Sequence, residues 1–511
     1  MTHDIFAEGG SLSRVLDGWE PRPQQTEMAA AIAKTFTERG RLFVEAGTGV
    51  GKSFGYLVPA MERILQYGER VVVATNTITL QEQLMERDIP LLQSTVDAHL
   101  EAVLVKGRGN YVSLRRLERA SHGRGALLGD AAATQQVDLL RAWAGETADG
   151  TRASLPLLPR GDVWDLVQSD AGNCLGRRCP RYGDCFFQAA RRAMEQGDLL
   201  VCNHAIFFSD LVLRRDDAGL LPRYDHVILD EAHAIEDVAS EHFGASFSES
   251  RVNHLLGGLV STSRRGRGFL RGLQESGERS ELLSQCGDLV AACRERSGEF
   301  FDAVMRWQMD IGPRNGRIRE AGFVEDSLSG ALEQLGGHLT ILSQGLEDDA
   351  EAAEAAGFGQ RALALAVSCR AVVQQSIPGC VYAVDGMPTG GRAAPRPTIK
   401  AMAVDVGELL RENLFDTGAS VVLTSATLGG SGADFSLVKK RLGCPDAADM
   451  RLGSPFDFAR QMQAWVDSSM PEPSHEQYAE RLASRIIDLT GRTRGGAFVL
   501  FTSYAMMSRI A

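Results

Sequence analysis

The feature that most constrains this chain is residues 41–53, RLFVEAGTGVGKS, where a glycine-rich stretch separates two apolar patterns. Residues 42–44 predict a buried strand, and residues 54–65 predict an apolar helix. Glycines let the backbone curl so that successive N–H groups point at phosphate oxygens, and the following helix presents its positive N-terminal end to the same anion. The stretch therefore predicts a phosphate-binding loop with these members: Ala46, Gly47, Thr48, Gly49, Val50, Gly51, Lys52 and Ser53.

Side chains in and before this loop predict ATP with Mg²⁺ as the ligand. Lys52 would reach the β- and γ-phosphates, and the Ser53 hydroxyl would hold the metal ion. Upstream, Arg22 and Gln25 precede a helical pattern, and a glutamine amide can bond both edges of an adenine. The loop departs from the strict pattern only at Ala46, where that pattern has glycine. A glycine-rich turn that ends in Lys-Ser by chance is the plainer alternative.

Apolar, β-branched runs recur along the chain and are separated by helical patterns. These runs lie within residues 70–75, 197–208, 224–237 and 419–428. Strand, loop, helix and strand in this rhythm predict an α/β fold with a doubly wound parallel sheet.

An acidic pair follows the predicted strand in YDHVILDEAHAIED. In a phosphate-loop protein an acidic residue at a strand end is the Mg²⁺ partner, so Asp230 would hold Mg²⁺ and Glu231 would orient and deprotonate the attacking water. Two adjacent carboxylates would otherwise repel each other, and a bound divalent cation explains their proximity. We expect His233 to pass the nucleotide state to other parts of the protein. The small hydroxyls of Ser425 and Thr427 can bridge the Mg²⁺ site to a neighbouring domain.

Nucleic acid is the predicted partner of other strand ends and of one basic segment. Amides and hydroxyls at the carboxyl end of a strand suit a nucleic-acid phosphate, and arginines crowd residues 106–124. The net charge of −12 argues only against binding over the whole surface, because a basic groove can lie within an acidic protein. The candidate nucleic-acid contacts are Thr75, Asn76, Arg115, Arg116, Asn203 and His204.

Length and composition bound the remaining possibilities. A chain of 511 residues should hold two to four domains. No apolar run has the length of a membrane span, and the N-terminal segment lacks the pattern of a secretory signal, so we expect a cytoplasmic protein. The nine cysteines, an odd number, argue against a disulfide framework.

Three cysteines cluster in NCLGRRCPRYGDCFF, at Cys174, Cys179 and Cys185. A tight zinc site pairs cysteines two to four residues apart and needs four ligands. Thiolates on loops at looser spacing suit an iron–sulfur cluster equally well. The residues alone leave both metals open.

Two further regions follow the acidic pair. Residues 242–391 carry leucine and alanine at helical spacing, which predicts an inserted helical domain without a catalytic constellation. Beyond residue 453 we expect a second α/β unit, with strands at residues 462–466 and 496–502 and a helix at residues 475–489. Two strands do not make a complete domain.

Together these stretches resemble the superfamily 2 DEAH-box DNA helicases of the DinG/XPD type, in their DinG-like bacterial branch. The resemblance is carried, in the family's order, by RPQQ, EAGTGVGKS, ATNTITLQEQL, KGRGNY, the three cysteines, VCNHA, ILDEAH, LTSATL and FVLFTSY. Alanine is usual at the first loop position of this family, so Ala46 fits. The resemblance implies an enzyme that uses ATP to translocate 5′ to 3′ on single-stranded DNA, in repair or replication.

The resemblance also implies a domain organisation and a set of ligands. A first RecA-like domain would comprise residues 1–106, 198–241 and 392–452, with an iron–sulfur insertion at 107–197, a helical arch at 242–391 and the start of a second RecA-like domain at 453–511. The implied cofactors are ATP, Mg²⁺ and a [4Fe–4S] cluster on the three cysteines. The implied partner is single-stranded, forked or R-loop DNA, bound by a monomer associated with the bacterial nucleoid and not with a membrane.

Two departures from the family bear on activity. The first cluster cysteine of the family falls where this chain has Ser113, so a cluster could use the Ser113 oxygen, recruit Cys202, hold only three irons or be lost. The chain also stops after the family's fourth helicase motif, before the arginines that contact the γ-phosphate. We therefore expect a C-terminally truncated chain that binds ATP poorly and hydrolyses it slowly.

Two other functions are alternatives to a helicase. A single-strand DNA-binding or redox-sensing module with a vestigial ATPase belongs to a different class, and the intact Lys52, Asp230 and Glu231 argue against it. Some relatives carry an N-terminal exonuclease domain, but only about forty residues precede the loop, too few for a nuclease domain of ordinary size.

Overall fold

A computed structural model describes residues 5–16, 18–122, 131–215, 218–261, 268–275, 281–386, 397–429 and 434–511. The chain divides into two units, Met1–Pro455 and Phe456–Ala511. The strands, all in the first unit, are β1 (Arg41–Ala46), β2 (Val71–Thr75), β3 (Ala102–Leu104), β4 (Leu199–Asn203), β5 (His226–Asp230), β6 (Ala245–Ser248), β7 (Arg317–Ile318), β8 (Cys380–Asp385), β9 (Thr398–Ala403), β10 (Ser420–Ser425) and β11 (Ala448–Leu452).

Seven of these strands form one sheet in the order β11-β1-β10-β5-β2-β4-β3, and every pair in it is parallel. Helices cover both faces. Val71 and Val73 of β2 pack with the helix Lys52–Tyr67, whereas Val72 and Ala74 pack on the opposite face with the helix His204–Arg214. Burial on both faces explains the continuous apolar runs, and the predicted doubly wound, RecA-like α/β fold is confirmed.

The helices of the first unit fall into three groups along the chain. Around the parallel sheet they are Ser11–Val15, Pro23–Thr37, Lys52–Tyr67, Ile78–Gln83, Ile89–Val96, His204–Arg214, Ile235–His242, Gly407–Leu410 and Ser436–Arg441, with π-helical turns at Leu84–Asp88 and Arg411–Phe415. Between β3 and β4 they are Leu114–His122, Ala131–Ala144, Gly161–Val167 and Phe186–Gln196. Between β6 and β8 they are Glu249–Leu259, Gly268–Glu275, Glu281–Asp310, Ser329–Gly345 and Asp349–Gln374.

The insertion predicted to be helical also contains a sheet. Its strands lie in the order β6-β9-β8-β7, and every pair is antiparallel. β9 lies beyond the predicted end of the insertion at residue 391, yet it pairs with β6 and β8 rather than with the parallel sheet. Alternate residues of β9 are buried, as expected for a strand with one solvated face. The insertion thus takes one strand from a segment that the sequence assigned to the RecA-like domain.

The cysteine-containing insertion has a small core of its own. Val112, Leu140 and Trp164 are buried there together, and isolated bridges join Tyr111 to Thr151 and Val112 to Gln168. A core this small depends on few contacts, so we expect bound metal or neighbouring elements to add to its stability.

The two insertions contact each other through a pair of glycines. The 3₁₀ turn Ala171–Asn173 lies on the helix Asp349–Gln374, and a Cβ on Gly357 would clash with the carbonyl group of Gly172. Ion pairs flank the contact. Arg119 lies 2.7 Å from Glu354, and Arg361 pairs with Asp170. The turn that precedes Cys174 is therefore held against the helical insertion.

The second unit has helices at Phe458–Gln461, Tyr478–Arg492 and Tyr504–Ile510. The strands predicted at residues 462–466 and 496–502 are wrong. Both segments are irregular, and Trp465 is 88% exposed and Phe498 99% exposed. A strand needs neighbours for its backbone groups, and no strand of the described residues pairs with either segment.

Candidate active site

The glycine-rich loop joins β1 to the helix Lys52–Tyr67. Gly49 and Gly51 have φ of 90° and 82°, in the left-handed region that glycine tolerates, and the helix begins directly after Gly51. Ala46 and Val50 are fully buried beneath the loop. The turn is therefore built from backbone, with amide groups and a helix N-terminus available to an anion.

Gln25 and Arg22 reach the same loop from the start of the helix Pro23–Thr37. The Gln25 side-chain amide donates a hydrogen bond to the Gly51 carbonyl oxygen at 2.9 Å. A Cβ on Gly51 would clash with that amide and would lie 3.6 Å from the guanidinium of Arg22. Gln25 therefore holds the loop itself in this structure, a contact that the sequence did not predict.

The polar strand ends meet at one edge of the parallel sheet. The register pairs Glu45 of β1 with Ser425 of β10, and Thr424 of β10 with Asp230 of β5. On the other side, Thr75 of β2 lies beside Asn203 of β4. The loop after β1, the acidic pair after β5 and the hydroxyls of β10 are thus brought together by the parallel pairing.

Asp230 is an acidic side chain with few partners. It is 5% exposed, and its carboxylate accepts hydrogen bonds from the Tyr56 hydroxyl at 3.2 Å and from the Glu231 backbone at 2.9 Å. Burial, and then the charge of Glu231, raise the pKa of Asp230 to about 6, while the positive charge of Lys52 opposes the shift. A divalent cation here would supply the missing countercharge.

The segment after Asp230 connects this carboxylate to β10. Glu231 has a φ of 53°, unusual for a residue with a side chain. Nδ1 of His233 lies 2.9 Å from Oγ of Ser425 and 3.3 Å from Oε2 of Glu231. The same Ser425 oxygen accepts a hydrogen bond from the Thr427 backbone at 3.3 Å. The predicted coupling residues are therefore in direct contact.

The candidate DNA contacts divide into exposed and buried groups. Asn76 is exposed at the end of β2, and the Asn203 side chain caps the helix His204–Arg214 by accepting from Ile206 at 2.8 Å. His204 is 2% exposed, and its Nε2 lies 2.8 Å from the carbonyl oxygen of Asp230. Burial lowers the pKa of His204 to about 4, so the ring is neutral near pH 7. Thr75 is fully buried. Neither buried side chain has a surface for DNA in this conformation.

Arg115 and Arg116, also predicted to contact DNA, are bound within the cysteine insertion. Arg115 donates to the carbonyl oxygen of Asn173 at 2.6 Å. Arg116 donates to the carbonyl oxygens of Gln168 and Asp165, and burial lowers its pKa. These contacts give both arginines a structural role, so their substitution would disturb the insertion as well as any DNA surface.

Ser113 and the three clustered cysteines line one pocket. The pocket holds about 400 Å³ of space, part of it open to solvent, and Arg115 and Asp170 also line it. Ser113 stands before the helix Leu114–His122, and its hydroxyl is 3.5 Å from the Arg116 amide nitrogen. Cys202 is a buried residue of β4 and does not line this pocket. No group of three or more His, Cys, Asp or Glu side chains in the described part of the chain is arranged to hold a single metal ion.

Two residues that support the site from beside it escaped the sequence analysis. Tyr56 bonds Asp230 from the loop helix, and Glu45 lies beneath the loop with hydrogen bonds to the turn after β10. Glu45 carried a usable signal, because a charged residue within a buried strand must find a partner.

A phosphate-binding loop and an acidic strand end on a RecA-like sheet define a nucleoside-triphosphate hydrolase. A family model described as DEAD/DEAH box helicase matches residues 22–122. The ATP-dependent DNA helicase YoaA of Escherichia coli (strain K12) is 31% identical over 522 residues, which covers 100% of this chain and 76% of that protein. The chain belongs to the family of YoaA and DinG ATP-dependent DNA helicases, and it is an ATP-hydrolysing enzyme.

The chain is also similar to two other proteins, at lower identity. The protein named 3′-5′ exonuclease DinG of Bacillus subtilis (strain 168) is 26% identical over 532 residues, covering 98% of this chain and 56% of that protein. A solved structure named XPD helicase aligns with 96% of this chain and 74% of its own, at 14% identity and a TM-score of 0.48. In the described residues no helix is long and apolar enough to cross a membrane.

Proposed function

We propose that this chain is the ATP-driven motor of a DNA helicase that moves 5′ to 3′ along single-stranded DNA, in repair or replication. The observation that carries the proposal is the meeting, at one sheet edge, of the glycine-rich loop, the Asp230–Glu231 pair and the His233–Ser425 contact. The names of the relatives support DNA as the substrate. The 5′ to 3′ direction of movement and the role in repair or replication are proposed from the family resemblance.

Each side chain of the site has a role in this proposal. Lys52 and the loop amides bind the β- and γ-phosphates, and Ser53 and Asp230 hold Mg²⁺. Glu231 orients and deprotonates the attacking water. Arg22 and Gln25 lie beside the loop where an adenine would bind, and Gln25 would have to exchange its bond to the Gly51 carbonyl for the base.

Single-stranded, forked or R-loop DNA would bind across the ends of β2 and β4. Of the predicted contacts on these two strands, Asn76 and the exposed part of Asn203 are side chains that a phosphate can reach, and the amides after Thr75 add donors. His204 would act indirectly, by holding the carbonyl group of Asp230 from the DNA side of the sheet. We propose a cytoplasmic, nucleoid-associated monomer.

We also propose that the cysteine pocket holds an iron–sulfur cluster. A cluster spreads its ligands over several irons, so its thiolates need not converge on one point as they do around a single ion. A terminal nitrogen of Arg115, which lines the pocket, is buried without a hydrogen-bond partner, as suits a wall that faces an anionic group. Cys174, Cys179 and Cys185 would hold the cluster, with the Ser113 hydroxyl at the fourth position.

The alternative is a single-strand DNA-binding or redox-sensing module with a weak ATPase. Lys52→Ala decides between the two, because it removes the phosphate-binding charge and leaves the cysteine pocket intact. The motor proposal expects ATP turnover with single-stranded DNA to fall to the rate measured without enzyme. The matched control is Lys34→Ala, which removes an exposed lysine that lies 3.9 Å from Glu38. Equal turnover in the Lys52 variant and the wild type would overturn the motor.

Metal content measured on the same preparation tests the cluster. Anaerobically purified protein should be brown and contain iron and sulfide in comparable amounts. Zinc in place of iron would refute the cluster and leave the motor untouched.

A further inference from the structure

Glu45 is the acidic side chain of β1, the strand that ends in the phosphate-binding loop. Its neighbours Val44 and Ala46 are fully buried, and the Glu45 side chain is only 13% exposed. A carboxylate in such a position is costly unless hydrogen bonds and countercharge compensate it. In this structure both are present, and they come from distant parts of the chain.

One carboxylate oxygen of Glu45 binds the turn that follows the Ser425–Thr427 segment. Its Oε2 accepts hydrogen bonds from the Leu428 amide at 2.7 Å and from the Gly429 amide at 2.8 Å. Hydrogen bonds to an ionised acceptor are about twice as strong as neutral ones, and two on a single oxygen fix the turn in orientation as well as in position.

The other oxygen binds the last strand of the parallel sheet. Oε1 of Glu45 lies 2.7 Å from Nε of Arg451 on β11. The chain continues from there onto the phosphate-binding loop, where the Gly47 amide donates to the Leu452 carbonyl at 3.4 Å and Ser454 Oγ donates to the Thr48 carbonyl at 3.2 Å. Residues 451–454 therefore contact Glu45 at one end and the loop at the other.

We propose that Glu45 is a positioning residue that couples the phosphate-binding loop to the turn after β10 and to residues 451–454. The inference rests on the proposed ATP-driven motor. When phosphates bind, the backbone of the loop shifts. The hydrogen bonds of Glu45 to the turn after β10 and its ion pair with Arg451 transmit this shift to residues 425–429, which also contact His233 through Ser425. Because the Glu45 carboxylate bonds the turn after β10 and Arg451 rather than the groups proposed to bind phosphate, its loss should spare ATP binding and weaken the response of hydrolysis to DNA.

Three substitutions in the full chain separate the two sets of contacts. Glu45→Ala removes both, and Glu45→Gln keeps an oxygen for the two amides but gives up the charge. Arg451→Met keeps the bonds to the two amides and removes the ion pair, together with the contact of the guanidinium with the Phe435 ring, whose centroid is 5.4 Å away. Lys439→Met is the matched control, because Lys439 makes a different ion pair with β11, at 2.7 Å from Asp449. ATP turnover is measured with and without single-stranded DNA, alongside the affinity for a fluorescent ATP analogue.

We expect Glu45→Ala to lower the DNA stimulation of turnover about tenfold, the equivalent of one lost charge-assisted hydrogen bond, and to leave nucleotide affinity within about twofold. Glu45→Gln should recover part of the stimulation, and Lys439→Met should match the wild type. A parallel loss of nucleotide affinity and turnover, or unchanged stimulation, would overturn the coupling role. An equal loss in Lys439→Met would show a general weakening of β11 instead.

Hydrogen exchange at the Leu428 and Gly429 amides provides a readout that does not need turnover. Addition of the ATP analogue should slow exchange of these amides in the wild type and have no such effect in Glu45→Ala. If the wild type shows no DNA-stimulated hydrolysis, the motor proposal fails, and the exchange data still decide whether Glu45 links loop and turn. An equal response in both proteins would refute the link.

Discussion

Asp230 has less countercharge among its protein neighbours than a buried carboxylate needs. Its accepted hydrogen bonds from Tyr56 and the Glu231 amide do not offset burial and the adjacent negative charge of Glu231, as the pKa of about 6 indicates. The protein therefore maintains a destabilised residue where the metal ion is expected. Buried charges that the surrounding protein does not fully compensate are characteristic of functional sites.

Asp230→Asn should make the nucleotide-free protein more stable while it abolishes ATP hydrolysis. A shift of the pKa from 3.8 to about 6 corresponds to a penalty of about 3 kcal/mol for the charged form, and asparagine removes the charge at nearly the same volume. The measurement is the free energy of unfolding at pH 8, together with ATP turnover.

The pH dependence of that stabilisation has a definite sign. The folded pKa is raised, so between pH 3.8 and about 6 the native state holds a proton that the unfolded state has released, and stability falls as pH rises through this window. The gain from Asp230→Asn should therefore be largest above pH 6 and shrink toward pH 5. Equal free energies of unfolding for the wild type and Asp230→Asn at pH 8 would show that the buried charge of Asp230 does not destabilise the protein.

Asp210→Asn is the matched control for this prediction. Asp210 is also fully buried, but it is paired with Arg214 at 2.6 Å and accepts from the Leu220 amide at 2.7 Å and the Leu221 amide at 2.8 Å. Loss of its charge leaves those donors without an ionised acceptor, so this substitution should destabilise the protein.

At the scale of single residues, the sequence predicted the chemistry that is local in the chain. The loop from Gly47 to Ser53 and the pair after β5 carry their function in adjacent residues, and the structure brings both to one sheet edge. The contacts of Glu45 with Leu428 and of Gln25 with Gly51 join residues far apart in sequence. The strand register brings Glu45 near the turn after β10, and the packing of the helix Pro23–Thr37 brings Gln25 to the loop. The composition of the partners encodes neither placement.

Among elements, the contact between the two insertions depends on the absence of side chains at Gly172 and Gly357. Gly357→Ala should push the turn Ala171–Asn173 off the helix, because the added methyl group meets a backbone carbonyl that cannot rotate away. We expect a loss of about 1–3 kcal/mol in stability and faster hydrogen exchange in that turn. Hydrogen exchange followed by mass spectrometry measures both insertions at once.

Gly330→Ala serves as the control for the glycine contact. Gly330 lies in the neighbouring helix Ser329–Gly345 with nothing within 4 Å of an added Cβ. Alanine there should be neutral or stabilise the helix by up to about 1 kcal/mol. If Gly357→Ala behaves in the same way, the glycine contact does not hold the insertions together.

The elements that the sequence missed have weak local signals. β7 has two residues, and β6 has four. The residues of β9 do alternate in burial, and the run TIKAMA could have been recognised by its period of two. The reverse error occurred at residues 496–502, where GAFVLFT has a strand's composition but no partner strand among the described residues. Composition predicts a strand, and only pairing makes one.

In the molecule as a whole, burial is concentrated in the first unit. The four hydrophobic cores formed by the described residues lie within it, and in residues 456–511 Ala479 is the single buried residue. A chain ending at Pro455 should therefore keep the stability of the first unit. We expect its thermal midpoint to lie within about 2 °C of that of the 511-residue chain.

Differential scanning calorimetry of the two chains measures this directly. The near-ultraviolet circular dichroism of the shorter chain should also keep the fine structure of its packed aromatic residues. A much lower midpoint, or a shorter chain without a cooperative transition, would show that residues 456–511 stabilise the first unit in a way that their exposure does not reveal.

The antiparallel pairing of β6 with β9 has a consequence for how the RecA-like sheet accommodates its longest insertion. Ala245 lies opposite Ala401, so the chain leaves and re-enters the host domain on adjacent, hydrogen-bonded strands. Closing a long flexible loop would cost entropy that grows with the logarithm of its length. Here the insertion closes that loop with its own sheet and core. The host domain is thus joined to two paired strands, β6 and β9, whose ends are held close together. The helices of the insertion can therefore become longer or shorter without altering the entropy cost of forming the ATP site.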